Sequence, residues 1–256
     1  MLDFLASVGR VFLNFLNASG RFGLFTVTAI SHCFRPPIYL RLIGRQLIDI
    51  GYYSLPVVGL TAVFTGMVLA LQTNTGFSRF GAASATATVV VLSVTRELGP
   101  VIAALMVAGR IGAAIAAEIG TMRVTDQIDA LSTLSTNPMK YLVVPRILAG
   151  LITLPLLVFV ADIIGVFGGY IVATYKLGFN PSSYLHNTAQ NLTSNDVWSG
   201  LIKSAVFGFI VALMGCYYGY HSRGGAQGVG AATTYAVVSA SVMILLFDYL
   251  LTSVLF

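Results

Sequence analysis

Charged residues are scarce in this chain. Only 9% of its 256 residues are Asp, Glu, Lys or Arg, whereas 57% are hydrophobic and the mean hydropathy is +0.87. A soluble globular domain carries roughly 25% charged residues. The chain therefore has too few charges to cover a surface that faces water, and we expect an integral membrane protein.

Cysteine and histidine are also rare. Cys33 and Cys216 lie far apart in apolar segments, and His32, His186 and His221 are isolated from one another. This spacing predicts neither a disulfide framework nor a metal site. The net charge of +5 comes from scattered basic residues, so nucleic acid is not expected as a partner.

Catalytic motifs are missing as well. The sequence has no P-loop pattern, no nucleophile elbow and no zinc-protease pair. We therefore expect that the chain is not an enzyme, needs no cofactor and does not hydrolyse ATP itself.

The N-terminal segment is amphipathic. In residues 1–21 the polar side chains recur at alternating steps of three and four, which places them on one face of a helix. This pattern favours a helix that lies in the membrane interface, although an ordinary amphipathic core helix would show the same periodicity. Residues 22–49 are predicted to form a second piece that lies on the basic, cytoplasmic surface of the membrane. Pro36-Pro37 predicts a break in the helix within this segment.

Five apolar stretches follow, each long enough to cross a hydrocarbon layer of roughly 30 Å, which needs about 20 residues. We predict helices at about 50–72, 85–118, 145–175, 198–220 and 231–256. The predicted fold class is an all-α integral membrane protein, with N-terminal interfacial helices in residues 1–49 and a five-helix permease domain in residues 50–256. No internal repeat of the kind found in secondary transporters is visible.

Small residues recur four apart in the predicted helices, and this spacing lets helices pack closely in lipid. Gly109, Ala113 and Ala117 share one face, Gly112, Ala116 and Gly120 share an adjacent face, and Gly165 and Gly169 form a pair in the third helix. The alternative is that glycine and alanine are simply abundant here.

The basic residues predict the orientation. With the N-terminus inside, ten Lys and Arg fall on the inner side and four fall in outer or intramembrane positions. The positive-inside rule then favours a cytoplasmic N-terminus and an outer, periplasmic C-terminus. The polar segment from Gly120 to Pro138 would face the cytoplasm.

Five ionisable residues lie within the predicted spans: Arg96, Glu97, Asp162, Lys203 and Asp248. A charge in hydrocarbon is costly, so each is a candidate functional residue, with a structural ion pair as the alternative. Successive helix residues point about 100° apart, so Arg96 and Glu97 should have separate partners.

Lys203 and Asp248 are predicted to form an intramembrane ion pair. Lys203 lies 23 residues before Ala226, the centre of the predicted turn between the last two helices, and Asp248 lies 22 residues after it. Equal distance from the turn of an antiparallel hairpin means equal depth in the membrane. The alternative is that Lys203 reaches the outer interface and Asp248 meets water.

One long stretch carries a family resemblance. The sequence from Arg96 to Leu131, RELGPVIAALMVAGRIGAAIAAEIGTMRVTDQIDAL, is followed by Pro138, Pro145-Arg146 and Pro155-Leu156-Leu157. These residues resemble the MlaE/YrbE permease family, and the resemblance extends over nearly the whole chain.

The resemblance implies the membrane subunit of an ABC transporter in the bacterial inner membrane. Its implied partners are a second copy of the chain, a cytoplasmic ABC ATPase, a STAS-domain protein and a periplasmic ring of MCE-domain proteins. The implied function is phospholipid movement between inner and outer membranes, which maintains outer-membrane lipid asymmetry. The alternative is another hydrophobic cargo, a sterol or other lipid, in an MCE system.

The resemblance also implies two sites. A cytoplasmic coupling helix at about 119–137, between the second and third spans, would dock on the ATPase through Glu118, Met122, Arg123, Asp126, Gln127, Asp129 and Leu131. Leu69, Gln72, Phe77, Phe80, Arg96, Glu97 and Leu98 match positions that line the family's lipid cavity at the dimer interface. Arg is well suited to a lipid phosphate, whereas the two Phe residues would also fit plain interface anchoring.

The chain departs from the family at Tyr235, where several relatives carry Arg, which argues against a head-group role there.

Two other function classes are open from the sequence: a stand-alone channel or secondary transporter, and a membrane scaffold. A stand-alone channel would need a polar path or broken helices, and a scaffold would not need Arg96 and Glu97 in an apolar layer.

Overall fold

The computed structural model describes residues 2–37, 39–79, 81–82 and 85–255. The described chain is built from helices. They are α1 (Leu2–Cys33), α2 (Leu40–Ile50), α3 (Leu55–Ser78), α4 (Thr86–Ser93), α5 (Gly99–Val107), α6 (Ala113–Val124), α7 (Gln127–Thr133), α8 (Val144–Tyr175), α9 (Pro181–Asn191), α10 (Ser194–Tyr220) and α11 (Gly225–Leu255).

Five helical stretches of the described chain are long and apolar enough to cross a membrane. They are Leu40–Ser78, Thr86–Val124, Met139–Tyr175, Ser194–Tyr220 and Gly225–Leu255. The predicted all-α class and the predicted five spans are confirmed. The interfacial position of the N-terminal helices stays a prediction.

Some predicted bounds were wrong. The first span was expected to end near Gln72, but α3 continues to Ser78. Polar residues in its last turns can hydrogen-bond to the helix's own backbone, as Thr75 Oγ1 does to the Leu71 carbonyl at 2.8 Å. The last span begins at Gly225 rather than near Ala231, because glycine is tolerated at a helix start.

Helix α1 is one continuous element that ends ahead of the proline pair, as expected of residues that lack an N–H. Phe25 and Ala29 on α1 are buried. The ring of Phe25 lies 5.4 Å from that of Tyr217 on α10, edge to face. These contacts attach α1 to the span bundle.

Helix α8 lies at the centre of the bundle, between α3 and α10. Glycines set how closely these helices approach. A Cβ on Gly66 of α3 would collide with the Gly165 backbone, and a Cβ on Gly208 of α10 would collide with the Gly150 backbone. Such contacts between small residues stabilise helix pairs in lipid.

The predicted small-residue faces of the second span have different outcomes. Gly112, Ala116 and Gly120 are buried against other helices of the chain. Gly109 instead has nothing within 4 Å of an added Cβ. The Gly112 face is therefore used for packing within the described chain, whereas on the other face Gly109 is exposed and Ala113 and Ala117 are half-buried.

The second span is interrupted twice by π-helical turns, at Val94–Leu98 and at Ala108–Gly112. A third π turn, Met139–Val143, precedes α8. A π turn inserts an extra residue into the helix and is often found at functional sites. The first of these turns contains Arg96 and Glu97, so it organises the candidate site.

Candidate functional site

Arg96 and Glu97 point to different partners, as the angle between successive residues predicted. Arg96 Nη2 lies 2.6 Å and Nε lies 2.8 Å from Asp196 Oδ1 on α10. Glu97 Oε2 lies 2.6 Å from Lys203 Nζ, two turns further along the same helix. The π turn is thus attached to α10 by two ion pairs of opposite polarity.

Asp196 was not predicted as a partner from the sequence. Its side chain is only 1% exposed, and its Oδ2 accepts hydrogen bonds from both the Thr193 N–H at 2.9 Å and the Thr193 hydroxyl at 2.8 Å. Thr193 and Asp196 form a capping box that starts α10. The Thr-x-x-Asp spacing before an apolar run was the available signal.

Lys203 is fully buried and is the centre of a polar cluster. Its Nζ donates to Glu97 Oε2 and Thr252 Oγ1, each at 2.6 Å, and lies 3.2 Å from both Asp248 Oδ1 and the Arg96 carbonyl oxygen. We call Glu97, Lys203, Asp248 and Thr252 the Lys203 cluster. The predicted partner Asp248 is therefore one of two carboxylates that share this lysine.

Pro100 gives a reason for the contact between Lys203 and the Arg96 carbonyl. Proline has no N–H, so the α-helical hydrogen bond from residue 100 to the carbonyl of residue 96 cannot form. Lys203 Nζ supplies a donor at that carbonyl. In hydrocarbon every backbone polar group needs such a partner.

Arg96 keeps an exposed portion despite its ion pair. Its side chain is 36% exposed, whereas that of Asp196 is 1% exposed. A lipid phosphate would thus meet an arginine that is already oriented by a carboxylate. The pair fixes the guanidinium but also offsets part of its charge.

The other predicted lipid-site residues are spread along the first two spans. Leu69 packs with Ala70, Val90 and Val94. Leu98 lines a cavity of about 20 Å³ between α3, α5 and α8. Gln72 is exposed, Phe77 is half-buried, and Phe80 lies outside the described residues. The described chain alone does not enclose a lipid-sized cavity beside Leu98.

The predicted coupling helix at about 119–137 is not one helix, which corrects that boundary. Helix α6 ends at Val124, and α7 begins at Gln127 after Asp126, whose φ of 57° is left-handed. Aspartate is among the few residues that adopt this conformation with modest strain. The segment is therefore two short helical pieces joined by a turn.

The residues of this segment divide into an inner and an outer set. Ile119 and Ile128 are buried in the core of this chain. Met122 and Leu131 are half-buried against the same core. Asp126, Gln127 and Asp129 are exposed.

Two ion pairs stabilise the end of the helix bundle that is predicted to face the cytoplasm. Arg123 Nη1 lies 2.7 Å from Asp129 Oδ1 across the turn. Glu118 Oε2 lies 2.8 Å from Nη2 of Arg146, a buried arginine on α8. The exposed carboxylates of α6 and α7 are thus held in place by this chain's own arginines.

Asp162 stands apart from the other intramembrane charges. It is buried on α8, and its Oδ1 has no hydrogen-bond partner among the described residues. The described residues also contain no group of three or more His, Cys, Asp or Glu side chains that could hold a metal ion.

Comparison with known proteins identifies relatives over the full length. A sequence profile for the family described as "Permease MlaE" matches residues 43–254. A protein from Rickettsia felis, named "Probable ABC transporter permease protein", is 59% identical over 256 residues, which cover 100% of this chain and 99% of the relative.

A more distant relative has a more specific name. The "Intermembrane phospholipid transport system permease protein MlaE" of Haemophilus influenzae is 33% identical over 259 residues, which cover 100% of this chain and 98% of the relative.

Proposed function

Because the chain belongs to the MlaE permease family, we propose that it is the membrane subunit of an ABC transporter that moves phospholipids between the inner and outer membranes of a bacterial cell. This activity would help to maintain outer-membrane lipid asymmetry. The relative from Haemophilus influenzae supports the cargo, since its name assigns it to intermembrane phospholipid transport.

The charged π turn in the second span carries this proposal. A permease for an anionic amphiphile needs an apolar wall and a cation that is available at membrane depth. Arg96 is such a cation, because Asp196 orients it while about a third of its side chain stays exposed. A scaffold that only anchors partners would gain nothing from this costly arrangement.

A cavity large enough for a phospholipid would form between two copies of the chain. Within the described residues the cavity beside Leu98 holds only about 20 Å³, far below the range of roughly 300–1,000 Å³ for ligand pockets. Leu69, Gln72, Phe77, Leu98 and, outside the described residues, Phe80 would then line a shared site with Arg96 and Glu97. A homodimer supplies the missing wall.

ATP hydrolysis is assigned to a separate subunit, because the sequence has no P-loop. The exposed side chains Asp126, Gln127 and Asp129, together with Glu118, are proposed as the surface that the cytoplasmic ATPase contacts. A STAS-domain protein and a periplasmic MCE-domain ring complete the proposed transporter.

Lipid retention by the purified complex tests the cargo. We expect mass spectrometry to find phospholipid in the wild-type complex, and several-fold less in Arg96→Ala, because that change removes the oriented cation. Arg41→Ala is the matched control, since Arg41 is an exposed arginine on α2. Equal phospholipid in all three samples would contradict the Arg96 role, and a sterol or another lipid in its place would support the alternative cargo.

A further inference from the structure

A second cavity lies between the third span and α9. It has a volume of about 460 Å³ and lies between α4, α8, α9 and the first turn of α10. This volume falls within the range of roughly 300–1,000 Å³ that is typical of small-molecule sites. Its wall is mostly apolar and includes Val91, Phe159, Ile163, Val166, Leu185 and Val197.

Two polar groups in this wall lack partners. Asp162 is 8% exposed and Tyr184 is 2% exposed. The described residues contain five buried side-chain polar atoms without a hydrogen bond, and two of them are Asp162 Oδ1 and Tyr184 Oη. Because an unsatisfied buried polar group is costly and rare, their concentration in one cavity wall points to a ligand.

Gly99 makes room for Asp162, whereas Gly169 lies within ordinary contact distance of Tyr184. A Cβ on Gly99 would collide with Asp162 Oδ1, and a Cβ on Gly169 would lie 3.4 Å from Tyr184 Oη. Asp162 is thus held against the backbone just after the Arg96 π turn. Burial raises the pKa of Tyr184 to about 12, so its phenol keeps its proton near neutral pH.

The cavity is accessible from the apolar surface of the third span. Phe159, Ile163 and Phe167 of its wall are each about half exposed, at 48%, 56% and 57%. These residues lie in a helix that spans the membrane by length and composition, so the solvent beside them is hydrocarbon. A molecule that enters from this side is one that dissolves in lipid.

Water and a partner helix fit the cavity less well. A buried water needs about two to four polar partners, and this wall is too apolar to provide them for the whole volume. An α-helix about 10 Å across would fill 460 Å³ with roughly one turn. The cavity suits a slender molecule with one polar end.

We propose that this cavity binds a membrane lipid whose head group donates a hydrogen bond to Asp162, with its apolar body between α8 and α9. The head group is a hydroxyl or an ammonium, because either can donate a hydrogen bond to the unpartnered Asp162 Oδ1, whereas an ionised carboxylate or phosphate diester has no proton to donate. The site is separate from the one proposed at Arg96, although Thr95 and Val197 of its wall are sequence neighbours of the Arg96–Asp196 pair.

Photolabelling of the full-length chain in its purified transporter complex, in membrane discs without ATP, tests this site. The probes are a long-chain alcohol, a long-chain amine and a fatty acid of equal length, each with a diazirine in the chain. We expect the alcohol, the amine or both to modify residues of α8 and α9, and the fatty acid to modify them about tenfold less. Absence of adducts there, or equal labelling by all three probes, would overturn the proposal.

Two substitutions of Asp162 identify the head group. Asp162→Val removes the acceptor and should lower labelling about tenfold for every probe that binds, the loss expected for one hydrogen bond. Asp162→Asn keeps an acceptor but removes the charge, so it should preserve labelling by the alcohol and weaken labelling by the amine. Unchanged labelling in Asp162→Val would also refute the site.

A blocking variant keeps the test valid if the Asp162 variants fold poorly. Ile163→Trp should fill the cavity mouth and prevent labelling. Leu156→Trp is its control, because Leu156 is 62% exposed on the same helix, against 56% for Ile163, but does not line the cavity. Equal loss in both would show that the probe contacts only the general lipid-facing surface, and the site would be rejected. Because labelling is read without ATP, its failure is distinct from a failure of phospholipid transport.

Discussion

A lysine that is fully buried in an apolar layer needs more than one partner. An ammonium has three N–H donors, and Lys203 has four acceptors within 3.2 Å. Removing one member of a buried charge group leaves the others unpaired, which costs more than removing the whole group. This asymmetry makes the Lys203 cluster testable one residue at a time.

We expect Lys203→Met to lower the free energy of unfolding by about 3 kcal/mol, since it leaves Glu97 and Asp248 without their cation. The triple variant Lys203→Met, Glu97→Gln, Asp248→Asn should recover at least half of this loss. Thermal unfolding in detergent, with size-exclusion chromatography to detect the protein that remains folded, measures the stability of the single and the triple variant. A triple variant that is less stable than the single variant would contradict the cluster.

The same geometry changes what a charge swap can do. If Lys203 and Asp248 formed an isolated pair, the double variant Lys203→Asp, Asp248→Lys would restore it. In this protein Glu97 lies 2.6 Å from Lys203, so the swap places a new carboxylate beside Glu97. We therefore expect little recovery of lipid transport, measured in proteoliposomes, from this swap. Adding Glu97→Gln to the swap should improve recovery, and full recovery without it would show that Glu97 is not part of the cluster.

Close helix crossings are the next larger feature. The crossing of α8 and α10 depends on Gly150 and Gly208, whose backbones leave no room for a Cβ. Gly208→Ala should lower the midpoint of thermal unfolding by several degrees, because α10 must shift away from α8. Gly109→Ala is the control, with nothing within 4 Å of the added atom, and it should be neutral or slightly stabilising. Equal destabilisation by both would argue against a specific crossing.

The turn between α6 and α7 is a second element with a defined requirement. Asp126 has a φ of 57°, which glycine adopts freely and a β-branched residue does not. Both Asp126→Gly and Asp126→Val remove the carboxylate, but only glycine keeps the turn, so Asp126→Gly should retain clearly more of the co-purified ATPase than Asp126→Val. Equal loss of the ATPase in both variants would show that the contact depends on the carboxylate rather than on the turn, and full retention in both would place the contact on another surface.

Local sequence pattern predicted elements better than their ends. Hydropathy alone predicted five spans, because about 20 apolar residues suffice to cross a bilayer. The end of α3 and the break at Asp126 were missed, since they depend on polar side chains that hydrogen-bond to their own helix and on one left-handed residue. Such details do not alter the average hydropathy of a window.

Long-range contacts were predictable only where the topology was simple. Lys203 and Asp248 lie on two helices joined by a short turn, so equal depth could be counted along the chain, and the structure places them 3.2 Å apart. The partner of Arg96 was not predictable in this way, because Asp196 lies 100 residues away in the sequence, on a span that does not directly follow that of Arg96. The Asp162 cavity likewise involves four helices that no sequence spacing connects.

At the scale of the whole molecule, the exposed apolar surface is concentrated on particular spans. The last span, α11, exposes Val238, Val242, Leu245, Leu246 and Tyr249, whereas most of α10 is enclosed by other helices. A membrane chain leaves such surface to lipid or to another copy of itself. The proposed homodimer would cover part of it beside the Arg96 site.

The orientation of the whole molecule is the remaining prediction, and exposed positions on opposite sides test it. With a cytoplasmic N-terminus and five spans, α7 lies in the cytoplasm and α9 in the periplasm. Thr133 on α7 and Gln190 on α9 are both exposed, so each can be replaced by cysteine in a Cys33→Ser, Cys216→Ser background. We expect a membrane-impermeant maleimide to label Gln190→Cys in cells with a permeabilised outer membrane. Thr133→Cys should react only after the inner membrane is opened, and the reverse pattern would require an outer N-terminus and move the proposed ATPase surface to the wrong side.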